Sequence, residues 1–77
     1  MIFEYVRNKK RQRIGVVVAL DKTSIGWSAC NIKKDRFDKE LGLKIAMGRA
    51  EHSVSPIPPH ILPTFNYMVD RAYRYYN

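Results

Sequence analysis

The sequence predicts a small α+β domain in which an antiparallel three-stranded β-meander is followed by two helices, in the order βββαα. Two observations support this fold class. Residues 1–31 hold three runs rich in β-branched and aromatic residues, separated by short polar breaks. The rest of the chain holds apolar residues at three- and four-residue spacing, the period of an amphipathic helix. A chain of 77 residues has room for one core, so residues 1–77 are predicted to form a single domain.

The strands are predicted over residues 1–7, 12–20 and 25–31. The middle run is apolar on both faces, which predicts the central strand of the sheet. The polar breaks on either side of it have the length of hairpin turns. Trp27 follows Ile25 on one strand face, and we expect its ring to be buried against the first helix. The alternative is a two-stranded sheet in which residues 1–7 are loose.

The first helix is predicted to begin at Asp35, which is a good N-cap residue, and to run to Ala50. We expect Phe37 or Leu41 of this helix to contact Trp27. Prolines exclude a helix or a central strand from residues 51–59, which are therefore predicted to be a connection. A second helix is predicted to begin near Pro59 or Pro63, because proline is tolerated in a first turn. Both helices are expected to pack on one face of the sheet.

The charge of the chain is unbalanced, with 14 Lys and Arg against 7 Asp and Glu and a net charge of +7. Such an excess favours an anionic partner: a nucleic acid, an acidic protein surface or an anionic membrane. The alternative is a charge that only keeps a small protein soluble. The longest apolar run, Val16 to Leu20, is far shorter than the roughly 20 residues of a membrane span. No signal peptide is recognisable, and we expect no membrane partner.

One basic group lies between the first two predicted strands, where five of seven consecutive residues carry positive charge. If this segment is a hairpin tip, the charges project together and suit a phosphate backbone. The alternative is a solvated turn whose cations protect a sheet edge from aggregation. We define the hairpin group as Arg7, Lys9, Lys10, Arg11 and Arg13.

A second basic group precedes the first helix, and we define this loop group as Lys33, Lys34 and Arg36. A helix N-terminus adds partial positive charge and free N–H groups, which also favour an anion. The alternative is that Asp35 and Asp38 occupy the helix end themselves. Lys39 is then expected to pair within the helix.

The C-terminal helix mixes aromatic and guanidinium side chains, which are enriched in protein interfaces and also stack on bases. Tyr67, Arg71 and Arg74 are the candidate residues of a protein interface. The alternative is that tyrosines such as Tyr73 and Tyr76 fill the core of the small domain.

Catalytic and metal-binding patterns are weak in this sequence. Cys30 is the only cysteine, and neither His52 nor His60 lies at a metal-ligand spacing from it. No third group is evident that would orient a thiol–imidazole pair, and no glycine-rich phosphate loop occurs. We therefore expect no enzyme activity, no catalytic residues, no cofactor and no metal. A lone cysteine also fits a reducing compartment.

Residues 25–50 resemble a group of short proteins encoded by tailed bacteriophages and prophages. The similarity rests on Ile25-Gly26-Trp27-Ser28, Cys30-Asn31, Lys33-Lys34-Asp35-Arg36-Phe37-Asp38-Lys39, Gly42, Ala46 and Gly48-Arg49-Ala50, and extends weakly back through Gly15-Val16-Val17-Val18-Ala19. It covers about half of the chain. The resemblance implies an accessory viral role in the cytoplasm of an infected bacterial cell, and it implies no mechanism.

These observations lead to two functional hypotheses. The first is a nucleic-acid-binding phage protein, in which the hairpin and loop groups contact DNA or RNA. The second is a phage inhibitor that binds a host protein, such as a defence or transcription factor. One continuous basic face favours the first, and exposed tyrosines away from the basic hairpin favour the second. DNA against RNA and the oligomeric state, including a homo-oligomer, stay open.

Overall fold

The computed structural model describes residues 1–52 and 56–76. Three strands are followed by two helices: β1 (Ile2–Arg7), β2 (Arg13–Ala19), β3 (Ile25–Ala29), α1 (Lys39–His52) and α2 (Leu62–Tyr75). The sheet is antiparallel with the strand order β1-β2-β3. The predicted α+β fold and the βββαα order are therefore confirmed, and the two-stranded alternative is wrong.

The central strand β2 is buried on both faces, as its sequence predicts. Side chains from Val16 to Ala19 are fully buried. Ala19 pairs with Ile2 of β1 and with Ile25 of β3, which fixes the register of the meander. Because strand side chains alternate between faces, Val16 and Val18 point to one side of the sheet, and Val17 and Ala19 point to the other.

The two helices pack on opposite faces of the sheet, so the prediction that both lie on one face is wrong. Val16 and Val18 belong to a cluster with Ala46 and Ala50 of α1. The other face has a separate cluster, formed by Ile2, Val6, Val17, Ala19, Ile61, Met68 and Ala72. The physical reason is in β2 itself: both of its faces are apolar, and each gains free energy when a helix removes it from water.

Helix α1 approaches the sheet most closely at β3. Gly26 lies directly below it, and a Cβ there would overlap the carbonyl oxygen of Ala46 and the backbone of Ala50. Small residues on both elements thus allow the two backbones to meet. Within the described residues, α1 lies over β3 and β2, and its backbone stays away from that of β1.

The start of α1 differs from the prediction. Asp38, not Asp35, is the N-cap: its Oδ1 accepts a hydrogen bond from the backbone N–H of Leu41 at 3.1 Å. Residues 31–38 form a turn-rich loop before the helix. The helix also continues to His52, and residues 53–55 of the predicted connection lie outside the described residues.

Trp27 does not contact the first helix near Phe37 or Leu41. Trp27 pairs with Val17 of β2, and this pairing places it on the α2 side of the sheet. There it packs against the cluster that contains Met68. Arg49 of α1 reaches across the edge of β3, with its guanidinium carbon 4.0 Å from the centroid of the Trp27 ring. The same side chain donates a hydrogen bond to the Trp27 carbonyl at 2.9 Å. Arg49 therefore partly blocks this sheet edge.

The turn between β2 and β3 is organised by one carboxylate. Asp21 accepts hydrogen bonds from the backbone N–H groups of Thr23, at 2.8 Å, and Ser24, at 2.7 Å. These bonds, with weaker ones from the two hydroxyls, lower the pKa of Asp21 below its ordinary value. Tight Asx geometry of this kind is typical of short turns.

Candidate functional site

The two basic groups lie at the same end of the sheet. Gly15 pairs with Ala29, so the β1–β2 hairpin and the loop after β3 emerge side by side. A cleft of about 490 Å³ lies between them, lined by Gln12, Arg13, Ile32, Lys33, Lys34, Asp35, Arg36 and Phe37. Cations from two distant parts of the sequence therefore face one cleft. We call this region the basic end, and it comprises the hairpin group, the loop group and the cleft.

The hairpin tip has a defined geometry. Oδ1 of Asn8 accepts hydrogen bonds from the backbone N–H groups of Lys10, at 2.9 Å, and Gln12, at 3.0 Å. Arg11 lies in the left-handed region, with φ of 63°, where a non-glycine residue is uncommon. Lys9, Lys10 and Arg11 are exposed at this tip. The turn thus presents three cations on a hydrogen-bonded frame.

The other two cations of the hairpin group stand over aromatic rings. The guanidinium carbons of Arg7 and Arg13 lie 5.6 and 5.2 Å from the centroid of the Tyr5 ring. Arg13 also lies 5.4 Å from the centroid of Phe37. Arg7 in addition donates a hydrogen bond to the Arg11 carbonyl at 2.9 Å. Both arginines are exposed, so they keep access to an anion while a ring limits their orientations.

The loop group is held by turn hydrogen bonds. Oδ1 of Asn31 accepts from the backbone N–H of Lys33 at 3.1 Å, and the Asn31 carbonyl accepts from Lys34 and Asp35. The Cys30 thiol donates to the carbonyl of Arg36 at 3.6 Å. Cys30 therefore has a local structural contact in this loop.

The acidic residues of this loop have different surroundings. The Asp38 carboxylate caps α1 through Leu41, in agreement with the alternative that an acid occupies the helix end. Asp35 lines the cleft beside Arg36 and lowers its positive charge locally. Lys39 does not show the expected intrahelical pairing: its Nζ lies 5.3 Å from the centroid of the Phe3 ring.

Both helices begin at the basic end. Gly42, in the first turns of α1, lies against Ser28 and Val16, and Ile61, before α2, lies against Gly15. At the opposite end, the Tyr76 hydroxyl donates to the Ala19 carbonyl at 2.8 Å. The positive ends of both helix dipoles thus point toward the basic end and add to the charge of its side chains.

The salt bridges within the described residues involve α2 and neither basic group. Arg71 contacts Glu4 at 2.6 Å, and Arg74 contacts Asp70 at 2.7 Å. Arg71 also donates to the Phe3 carbonyl at 3.3 Å. These two predicted interface arginines therefore have internal partners, which reduces their availability to another molecule.

The predicted interface tyrosine, Tyr67, is 53% exposed. Tyr73 and Tyr75 are also exposed on α2, together with Leu62 and Val69. The expectation that Tyr73 fills the core is wrong, because this side chain lies near the β2–β3 turn, where Lys22 Nζ is 4.8 Å from its ring centroid. The exposed tyrosines thus lie in the middle and the C-terminal part of α2, away from the basic end at which this helix begins.

A series of aromatic rings extends from the basic end along the α1 side of the sheet and was not among the predicted site residues. Phe3 and Tyr5 alternate with Glu4 on β1, so their rings share the α1 side of the sheet. The ring centroids of Phe3 and Tyr5 are 5.5 Å apart, and those of Tyr5 and Phe37 are 5.9 Å apart. The signal in the sequence was the period-two series Phe3, Tyr5, Arg7, which combines rings and a cation on one strand face.

Other kinds of site have less support in the part of the chain that the structure describes. Residues 1–52 and 56–76 contain no group of three or more His, Cys, Asp or Glu side chains arranged to hold a metal ion. Neither described helix has the length and apolar character needed to cross a membrane. Comparison with protein-family models, with curated proteins and with solved structures gives no match to this chain.

Proposed function

We propose that this chain is a small basic protein that binds nucleic acid through the phosphates, using the basic end. The observation that carries the proposal is a cleft at which Arg13 of the hairpin group meets the loop group, Lys33, Lys34 and Arg36. The cations of these two groups take no part in the salt bridges of the described residues, which involve Arg71 and Arg74. Bringing exposed cations together therefore adds little to the stability of the fold. Facing a polyanion, each of them gains by releasing condensed counterions.

The geometry supports contact with more than one phosphate. The exposed tip residues Lys9, Lys10 and Arg11 project from a hydrogen-bonded turn, and Arg13 shares the cleft with Lys33 and Arg36. Helix dipoles directed at the same end strengthen the local potential. From the resemblance of residues 25–50 to phage proteins, we further propose an accessory viral role in the cytoplasm of an infected bacterial cell.

The test is a fluorescence-anisotropy titration with labelled duplex and single-stranded DNA and RNA over a series of salt concentrations. A variant with Lys9→Gln and Lys10→Gln is compared with a control carrying Lys44→Gln and Arg74→Gln, two exposed cations of α1 and α2. Both variants lose two charges. We expect only the hairpin variant to flatten the slope of log affinity against log salt, by about two units.

Two results would contradict the proposal. If the wild-type protein binds none of the four probes at low salt, phosphate binding is excluded. If both double variants change affinity equally, the effect is one of net charge and the basic end has no special role.

The exposed face of α2 supports a second candidate function, binding of a host protein by a phage inhibitor. Tyr67, Tyr73 and Tyr75 are all more than half exposed, and aromatic residues of this kind are enriched at interface centres. The test is affinity capture from bacterial lysate with and without nuclease. A captured protein that survives nuclease and is lost in a Tyr67→Ser, Tyr73→Ser variant supports this function, whereas capture that nuclease abolishes supports the first.

A further inference from the structure

The α1 side of strand β1 is only partly covered. In the part of the chain that the structure describes, α1 lies over β2 and β3, and its backbone does not extend over β1. Phe3 and Tyr5 therefore stay half-buried on this side, at the margin of the Val16–Val18 cluster. Part of each ring is therefore accessible to another molecule, beside the exposed cations that stand over it.

The rings on this face form a continuous series. Phe3, Tyr5 and Phe37 are neighbours with centroid separations of 5.5 and 5.9 Å, and the interplanar angles are 79° and 77°. In each edge-to-face pair the edge of one ring meets the face of its neighbour, so the rings cover one another only in part. We call the three rings and the cations above them, Arg7, Arg13 and Lys39, the aromatic face.

The cations show what fits over these rings. Arg13 has its guanidinium carbon over both Tyr5 and Phe37, and Lys39 has its ammonium over Phe3. A guanidinium is planar, and a nucleobase can stack either on the ring in its place or on the guanidinium itself. Arg13 also lines the cleft of the basic end, so the aromatic face and the phosphate-binding region are contiguous.

We infer that the aromatic face binds the unstacked bases of a single-stranded nucleic acid whose phosphates lie on the basic end. This inference rests on the proposed function and narrows its ligand. A duplex hides the faces of its bases, so it gains nothing from these half-buried rings, whereas a single strand can stack on their accessible parts regardless of sequence. The chemistry recognised is an unpaired base beside a phosphate, which single-stranded DNA and RNA share.

The experiment uses the full chain and fluorescein-labelled oligodeoxythymidine and oligouridine of about 16 nucleotides, with a mixed-sequence DNA duplex of equal length. Tyr5→Leu removes one ring without changing the charge, Tyr5→Phe keeps the ring, and Tyr67→Leu removes an exposed ring of α2. We expect Tyr5→Leu to weaken single-strand binding about 10-fold at an unchanged salt slope, with little effect on the duplex. Tyr5→Phe and Tyr67→Leu are expected to bind as the wild type does.

The outcomes separate this inference from the proposed function. Equal wild-type affinity for duplex and single strands, or equal losses on both in Tyr5→Leu, overturns the aromatic face and leaves phosphate binding intact. Absence of binding to every probe at low salt overturns both. If Tyr5→Leu fails to unfold cooperatively in urea, Phe3→Leu replaces it, with the same expectation for single strands. A single-strand preference with either sugar supports the inference, and the oligonucleotide that binds more tightly shows which of the two sugars the protein prefers.

Discussion

The two faces of the sheet are covered in different ways. On one face, the long side chains of Ile61 and Met68 fill the space below α2, which contacts all three strands. On the other face, α1 meets the sheet through small residues, with Ala46 and Ala50 against Gly26 of the edge strand. Close packing draws α1 toward β3, and β1 is left half-covered. Tight contact at one edge of this sheet therefore opens the other edge.

This asymmetry also separates stability from binding. The covered α2 side contains the larger buried side chains, and the α1 side contains the rings and cations of the aromatic face. A substitution below either helix is therefore expected to change the free energy of unfolding. A substitution of Phe3 or Tyr5, on the α1 side of β1, is expected to change binding first.

Gly26→Ala should have the largest effect on stability, because the new methyl group would overlap the backbone of α1. Backbone cannot rotate away, so the helix must shift as a whole. We expect the free energy of unfolding to decrease by about 4 kcal/mol, which is enough to unfold a domain of this size. Urea unfolding followed by Trp27 fluorescence measures it.

The control for this change is Gly48→Ala in helix α1, where an added Cβ meets no atom within 4 Å. Helix propensity alone then predicts that the free energy of unfolding increases by about 0.5 to 1 kcal/mol. If the two alanine variants have similar stabilities, α1 does not pack closely on β3.

Met68→Ala tests the opposite face, where the methionine is fully buried below the sheet. Truncation leaves a cavity and causes no steric overlap, so both helices should keep their positions. We expect the free energy of unfolding, measured in urea, to decrease by about 3 kcal/mol. Nucleic-acid affinity of the folded fraction should not change, since Met68 lies on the side away from the aromatic face. A loss of affinity larger than the loss of folded protein would contradict the separation of the two faces.

Asp21→Asn should have the smallest effect, and it tests the turn that joins β2 to β3. The folded-state pKa of Asp21 is lowered by hydrogen bonds from Thr23 and Ser24, so the ionised carboxylate stabilises the turn. That contribution is present above the ordinary pKa of about 4 and is lost as pH falls through the lower folded-state pKa. Urea midpoints of the two proteins should therefore differ at about pH 6 and converge as the pH falls through the lowered folded-state pKa of Asp21. A constant difference would show that ionisation of Asp21 is irrelevant.

The fold class was predictable because the local patterns agree with one another. Strand β2 is apolar at every position from Gly15 to Ala19, which predicts a central strand, and the polar turns on both sides impose antiparallel neighbours. What the sequence could not decide was the side on which each helix packs. Both faces of β2 are apolar, so a pattern of residues fits either arrangement. The two arrangements are distinguished only by the close contact of Gly26 with α1.

The candidate site was predictable in part. The hairpin and loop groups are visible as runs of cations, but the cleft that Arg13 shares with the loop group depends on the pairing of Gly15 with Ala29. The N-cap was misplaced because Asp35 and Asp38 are both suitable capping residues three positions apart. The aromatic face was missed because rings on a strand are typical of a core, and their exposure depends on where α1 lies.

The shared direction of the two helices has a consequence for the rate of association. Neighbouring antiparallel helices cancel their dipoles, whereas here the dipoles add to the excess of cations at one end. A polyanion that approaches from any direction then exerts a torque on the molecule and turns the basic end toward itself before contact. A larger fraction of encounters is productive, so the association rate constant should decrease steeply with ionic strength while the dissociation rate constant changes less.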